Sequence, residues 1–81
     1  MKRRKDIEYE EARLNQLGLA LRTHRYASGF SQEALADAAG INRTHIGEVE
    51  RGKRNVSFLN LCRMADALGV SLSELLKTAK L

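Results

Sequence analysis

The sequence has no proline, no tryptophan and one cysteine, and only two tyrosines and two phenylalanines among its 81 residues. Without proline no position is closed to helix, so breaks must be made by glycine, serine and asparagine. One thiol cannot form an internal disulfide framework or a cysteine-based zinc site, which excludes the stapled small scaffolds and points to a reducing, cytoplasmic setting. No apolar run approaches the roughly 18–20 residues that cross a bilayer, and no signal peptide opens the chain. A soluble, intracellular protein with no membrane partner is expected. His24 and His45 are the only histidines, and neither has a sequence-near partner for a metal or a nucleophile. His24 reads as a helix-edge packing residue. Cys62 falls on an apolar stripe, as a buried structural thiol does. No enzyme chemistry, cofactor, metal or small-molecule ligand is expected.

What is present favours helix. Leucine and alanine dominate an apolar fraction of 43%, enough for the core of one small domain, and β-branched residues are sparse. The net charge of +4 misleads, because Lys2, Arg3, Arg4 and Lys5 alone carry four positive charges and the remainder balances, ten basic residues against ten acidic. A high isoelectric point is therefore no evidence for a basic binding domain; placement decides. Residues 1–10 are expected as a basic, disordered arm, ahead of a folded domain over residues 11–81. Such an arm either releases counterions from phosphates or only aids solubility.

The spacing predicts five helices. The first begins between Asp6 and Ala12 and runs to about Ala27, with Leu14, Leu17, Leu21 and Arg25 on one side. Ser31 caps the second, "QEALADAA", whose Leu35, Ala36 and Ala39 face inward and which Gly40 terminates. Asn42 caps the third, ending at Gly52. Ser57 caps the fourth, with Phe58, Leu61, Cys62, Ala65 and Leu68 as its apolar stripe. Ser71 and Glu74 have the form of a capping box for the fifth, whose apolar face is Leu72, Leu75 and Leu76. Only "AGIN" separates the second helix from the third. A turn so short suits a steeply crossed helix-turn-helix, which leaves one face of the third helix exposed.

That third helix, in "NRTHIGEVERGKRN", carries basic groups at both ends. On a wheel centred on Ile46, Val49 and Glu50 lie toward the buried side, while Thr44, Glu48 and Arg51 point away and Arg43 sits near the edge. His45 and Gly47 flank. The layout suits a helix in the major groove, with N-terminal side chains at base edges. It equally suits a solvated face with a Glu48–Arg51 pair three residues apart.

From Gln32 the run "QEALADAAGINRTHIGEVER" resembles the helix-turn-helix of the phage Cro/repressor (XRE-like) family. The matched positions are Gln32, Leu35, Ala36, Ala39, Gly40, Ile41, Ile46 and Val49. "GLALRTHR" resembles that family's first helix, and "ERGKRNVS" with "LGVSLSELL" its loop and last helices. The wording "NRTHI" and "ERGKRN" is especially similar to restriction–modification controller proteins. The resemblance implies an all-α, five-helix bundle of the lambda-repressor-like type, with the helix-turn-helix formed by helices 2 and 3. It implies base contacts from Arg43, Thr44 and Glu48, the last accepting from cytosine or orienting Arg43 or Arg51. Arg51, Lys53, Arg54 and Asn55 match the loop that grips the DNA backbone. Gln32 matches a residue that bonds a phosphate and steadies the recognition helix. Arg25 and Glu50 match a partly buried ion pair. Asn42 and His45 are assigned to the backbone contacts, His45 standing equally for plain solvent exposure. Gly47 departs from the serine common at its position, and either close DNA approach or helix crowding would explain it.

Two functions follow. The first is a sequence-specific, DNA-binding transcription regulator, acting as a homodimer on a near-palindromic operator with recognition helix 42–51 in the major groove. The dimer is argued from size, since one such helix reads few bases; its interface is assigned to Leu72, Leu75 and Leu76. The second is an antitoxin-like module that masks a partner protein and autoregulates.

Overall fold

Serine or asparagine opens four of the five helices in the computed structural model, which describes residues 1–81. The Ser31 hydroxyl accepts from the Ala34 amide at 3.0 Å ahead of α2 (Gln32–Ala39), and Asn42 Oδ1 from the Thr44 amide at 2.7 Å ahead of α3 (Arg43–Glu50). Ser57 accepts from Asn60 at 3.1 Å ahead of α4 (Phe58–Leu68), and Ser71 from Glu74 at 3.0 Å ahead of α5 (Leu72–Thr78). Caps of this kind contribute about 1 kcal/mol each. Gly40 closes α2 in the left-handed region, φ 68°, which an L side chain resists. The chain thereby turns within three residues into α3.

α1 (Arg4–Ala27) begins earlier than expected. Residues 4–10 are helical, not a disordered arm. Their order has a local cause. Asp6 accepts from the Arg3 backbone N–H at 3.3 Å and from its guanidinium at 3.1 and 3.2 Å, and Lys2 reaches Glu10. The Arg3 hydrogen bond holds the Asp6 carboxyl below the usual carboxylate range, and an acid in the first turn complements the helix dipole.

Two apolar clusters hold the bundle. Leu21, Leu35, Ala36, Ile46, Val49, Met64 and Leu68 join α1 to α4, and Ala20, Ala65, Leu75 and Ala79 dock α5 on α1 and α4. Three expectations change here. Leu75 is fully buried, so it belongs to the core and cannot carry a dimer interface. Phe58 is 66% exposed and Leu59 beside it 65%, whereas Met64, unassigned from the sequence, is fully buried. The reason is rotational: α4 turns Met64, Ala65 and Leu68 inward together, and Phe58 falls on the flank of that stripe.

At Gly18 the backbones of α1 and α3 leave no space for a side chain. A Cβ there would stand 2.5 Å from the Val49 carbonyl oxygen and 2.6 Å from that of Glu50. α1 and α3 therefore approach backbone to backbone. Gly18→Ala should lower stability: overpacking costs about 1–3 kcal/mol, against roughly 1 kcal/mol gained in helix propensity. Urea unfolding checks this, and a variant as stable as the parent would contradict the close approach.

Candidate nucleic-acid interface

An eight-residue helix is too short to persist alone, so α3 must be held from outside. Ile46 and Val49 are buried against α1 and α2. The stronger constraint is polar. Glu50 has a fully buried side chain, and Arg25 from α1 engages both of its oxygens, Nε to Oε2 at 2.5 Å and Nη2 to Oε1 at 3.0 Å. Gln32 Nε2 donates to the same Oε1 at 3.1 Å, and Arg22 Nε lies 3.6 Å away. Arg25 Nη1 also donates to the Phe30 carbonyl at 2.9 Å, and its guanidinium stacks 4.6 Å above the Tyr26 ring. One carboxylate thus ties α1, the α1–α2 turn and the start of α2 to the end of α3.

Burial alone would push the Glu50 carboxyl up. Hydrogen bonds from Arg25 and Gln32, with the positive charges of Arg25 and Arg22, outweigh it and hold the carboxyl below the usual carboxylate range. The Glu50 partner in turn raises Arg25 above its ordinary value, against the opposing effect of burial. Sequence reasoning overlooked Arg22. It lies three residues before Arg25 on the same helix, a spacing that puts both on one face.

With its inner edge fixed, α3 turns Arg43 and Thr44 fully outward at its N-terminus, with His45 and Glu48 half-buried beside them. Asn42 is committed to capping through Thr44. Arg51, Lys53 and Asn55 are exposed past the C-terminus. Glu48 does not pair with Arg43 or Arg51. The Lys53 amide donates to the Glu48 carbonyl at 2.8 Å, folding the loop back over the helix end, and Arg54 Nε meets Glu48 Oε1 at 2.9 Å. Arg54 is therefore half-buried and spoken for, and the negative charge beside the outward face is neutralised. Gly47 is buried, and a Cβ there would meet Arg51 Nη1 at 3.1 Å and Gln32 Oε1 at 3.5 Å. The Arg51 contact is tight but falls on the movable end of a long side chain, and Gln32 stands at ordinary van der Waals distance, so crowding by these two side chains does not by itself require a glycine. The Gln32 amide nitrogen, through its bond to Glu50, steadies α3 directly. No three His, Cys, Asp or Glu side chains converge on a point, and no helix is long and apolar enough to cross a membrane.

The family profile described as helix-turn-helix matches residues 20–75. The chain belongs to the helix-turn-helix family. It is 45% identical over 56 residues to the control protein C.SmaI of Serratia marcescens, a match covering 69% of this chain and 67% of that one. Other relatives are matched over 57% to 62% of their own length. The fold is similar to the crystal structure of the restriction-modification controller protein C.AhdI from Aeromonas hydrophila, with TM-score 0.75 and 47% identity over 76% of this chain and 94% of that one. It is also similar to the clp gene regulator ClgR from Corynebacterium glutamicum, with TM-score 0.81 and 34% identity over 84% and 87% of the two chains. Membership makes this protein a DNA-binding transcription regulator.

The Glu50 site predicts a pH-dependent stability. A carboxyl held low in the folded state contributes stability above its unfolded pKa, and loses it as pH falls through the lower folded value. Glu50→Gln should be less stable than the parent at neutral pH, by up to about 3–5 kcal/mol at the fully buried limit for breaking such a pair. The gap should narrow as pH drops below the ordinary carboxylate value of 4.5. A gap independent of pH, in urea melts from neutral to acid, would remove Glu50 as the linked group.

Proposed function

We propose that the protein controls transcription in the cytoplasm by binding a near-palindromic operator as a homodimer, with α3 in the major groove of each half-site. The observation that carries this reading is the pairing of an outward N-terminal edge, Arg43 and Thr44, with exposed cations Arg51 and Lys53 beyond the other end. One set can reach bases while the other holds phosphates. Arg43 is the base-reading residue of most consequence, since its planar fork suits guanine. Thr44 and Glu48 complete the readout. Glu48, already paired with Arg54, approaches DNA without a bare charge. Arg51, Lys53, Asn55 and His45 form the backbone set, and Gln32, Asn42 and Arg54 join it only through the donors left over by Glu50, the cap and Glu48. Relatives named as control proteins of restriction–modification systems support the same role here.

A homodimer needs an apolar face. With Leu75 in the core, that face is assigned to half-buried Leu72 and Leu76 together with Phe58 and Leu59, whose exposure has no other account. The same exposed pair is what favours the second reading, a module that masks another protein. The readings separate by substitution. Loss of Arg43 relaxes operator preference in the first and is neutral in the second.

Arg43→Ala should relax preference at one base position in each half-site, with discrimination falling by about 1–3 kcal/mol and the fold intact. Lys53→Ala should weaken binding evenly across sequences and flatten the slope of log K against log salt by about 0.9. Selection from random duplexes, followed by titration over a salt series, measures both. An unchanged motif for Arg43→Ala would remove it from the base-reading set.

A further inference from the structure

The N-terminal half of α1 stands apart from the rest of the bundle. Buried positions on α1 begin at Leu17. No side-chain hydrogen bond or ion pair joins residues 1–14 to another element; Lys2 pairs with Glu10 and Arg3 with Asp6, inside the segment. At 1.5 Å per residue α1 is about 36 Å long, close to the 38 Å long dimension of the molecule. Roughly half of it projects as a lone helix, a length that is marginal in water without a partner. Its first-turn cations Arg4 and Lys5 add to the cost, because they sit at the positive end of the helix dipole. Ile7 is 45% exposed. The arrangement lacks a compensating partner within the chain.

The sequence of the projecting face says what that partner is. On a helical wheel Arg3, Ile7, Glu10 and Leu14 continue the stripe of Leu17 and Leu21, with Arg4 and Glu11 beside it. Read along the helix, the face runs basic, apolar, acidic, apolar. Parallel alignment of two copies sets like charge on like. Antiparallel alignment crossing at Ile7 sets Arg4 of one copy opposite Glu10 of the other, and Arg3 opposite Glu11, while Ile7 meets its symmetry mate on the two-fold axis. We infer that this half-helix pairs antiparallel with the same segment of a second copy, crossing at Ile7 and bridging Arg3 and Arg4 to Glu11 and Glu10.

DNA is the competing occupant, and the charges disfavour it. Asp6, Glu8, Glu10 and Glu11 nearly offset the cations of the segment, so a phosphate would meet both signs. The internal Lys2–Glu10 and Arg3–Asp6 bonds are exposed, and bonds of that kind exchange at little cost. The contact is small. Two half-helices cannot bury the ~1,200 Å² of a stable interface, so the pairing acts between copies already held close, as on one DNA. In that role it rests on the DNA-binding reading. The pairing itself is tested without DNA, so the two can fail separately.

The test is disulfide trapping of the full chain at high concentration, with Cys62→Ala as background. Oxidised glutathione takes two electrons and two protons from two thiols, leaving an interchain S–S bond. Ile7→Cys should cross-link at least about tenfold faster than Ala12→Cys, which lies on the opposite face. In the Ile7→Cys background, Arg3→Glu with Arg4→Glu should slow cross-linking about tenfold at low salt, and so should Glu10→Lys with Glu11→Lys. A mixture of the two variants should restore the parent rate, because each then faces its complement. Circular dichroism checks that α1 stays helical, which the acidic pair favours. Equal rates at positions 7 and 12, or a mixture no faster than its components, would overturn the pairing. Unchanged cross-linking by Arg3→Glu with Arg4→Glu, joined to weaker binding of a single operator, would overturn it in favour of phosphate.

Discussion

The structure depends on one buried carboxylate. Glu50 is the last residue of α3, and its side chain is sealed from solvent between Arg25 and Gln32. Burying a charge is costly unless every lone pair is met, and an apolar replacement could stabilise the core as well or better. What an apolar residue cannot do is fix rotation. Ile46 and Val49 would tolerate α3 turning a few degrees about its axis, since dispersion contacts are non-directional. A two-pronged guanidinium bond, with an amide on the same oxygen, does not tolerate it. The angle at which Arg43 and Thr44 leave the surface is therefore set from the far side of the helix.

That constraint bears on two neighbouring glycines. A side chain at position 47 would press on the Arg51 guanidinium, at 3.1 Å from its Cβ, and touch Gln32, which bonds Glu50, at 3.5 Å. Because Gly18 lets the carbonyls of Val49 and Glu50 approach α1, the Glu50 carboxylate comes within bonding reach of Arg25 on that helix. Both glycines lie beside the same clamp, where helix propensity alone would disfavour them by about 1 kcal/mol each.

The sequence made some of this legible and not the rest, for physical reasons. Caps at Ser31, Asn42, Ser57 and Ser71 were readable because they are local: one side chain, one amide, two or three residues apart. The Arg25–Glu50 pair was readable through the resemblance and the wheel together, since both residues pointed inward and neither could be buried alone. Met64 and Phe58 were exchanged because both lie near the edge of a wide apolar arc, and only the packing of α4 against α1, α2 and α3 decides which edge is covered. Leu75 was read as surplus for a like reason: the alanines that receive it come from α1 (Ala20), α4 (Ala65) and the cap of its own helix (Ala79), far apart in sequence. The helical start at Arg4 was missed because its support is a charge network, Arg3 with Asp6 and Lys2 with Glu10, which composition reads as a disordered basic run.

The ion pairs of this protein differ in exposure, and that difference orders their response to salt. The Glu50 side chain is fully buried and that of Glu48 30% exposed, whereas Lys2 and Arg3 stand 62% and 78% exposed. Screening acts on charges in water with a Debye length of about 8 Å at physiological ionic strength, and much less on buried ones. Rising salt therefore loosens the N-terminal half of α1 first, together with any phosphate held by Arg51 and Lys53, whose contribution comes from counterion release. The Glu48–Arg54 link yields later, and the Arg25–Glu50 clamp last. The exposed charges thus yield to salt under conditions where the buried clamp that orients α3 does not. A short helix held this way keeps its orientation while the exposed charges around it respond to the solvent.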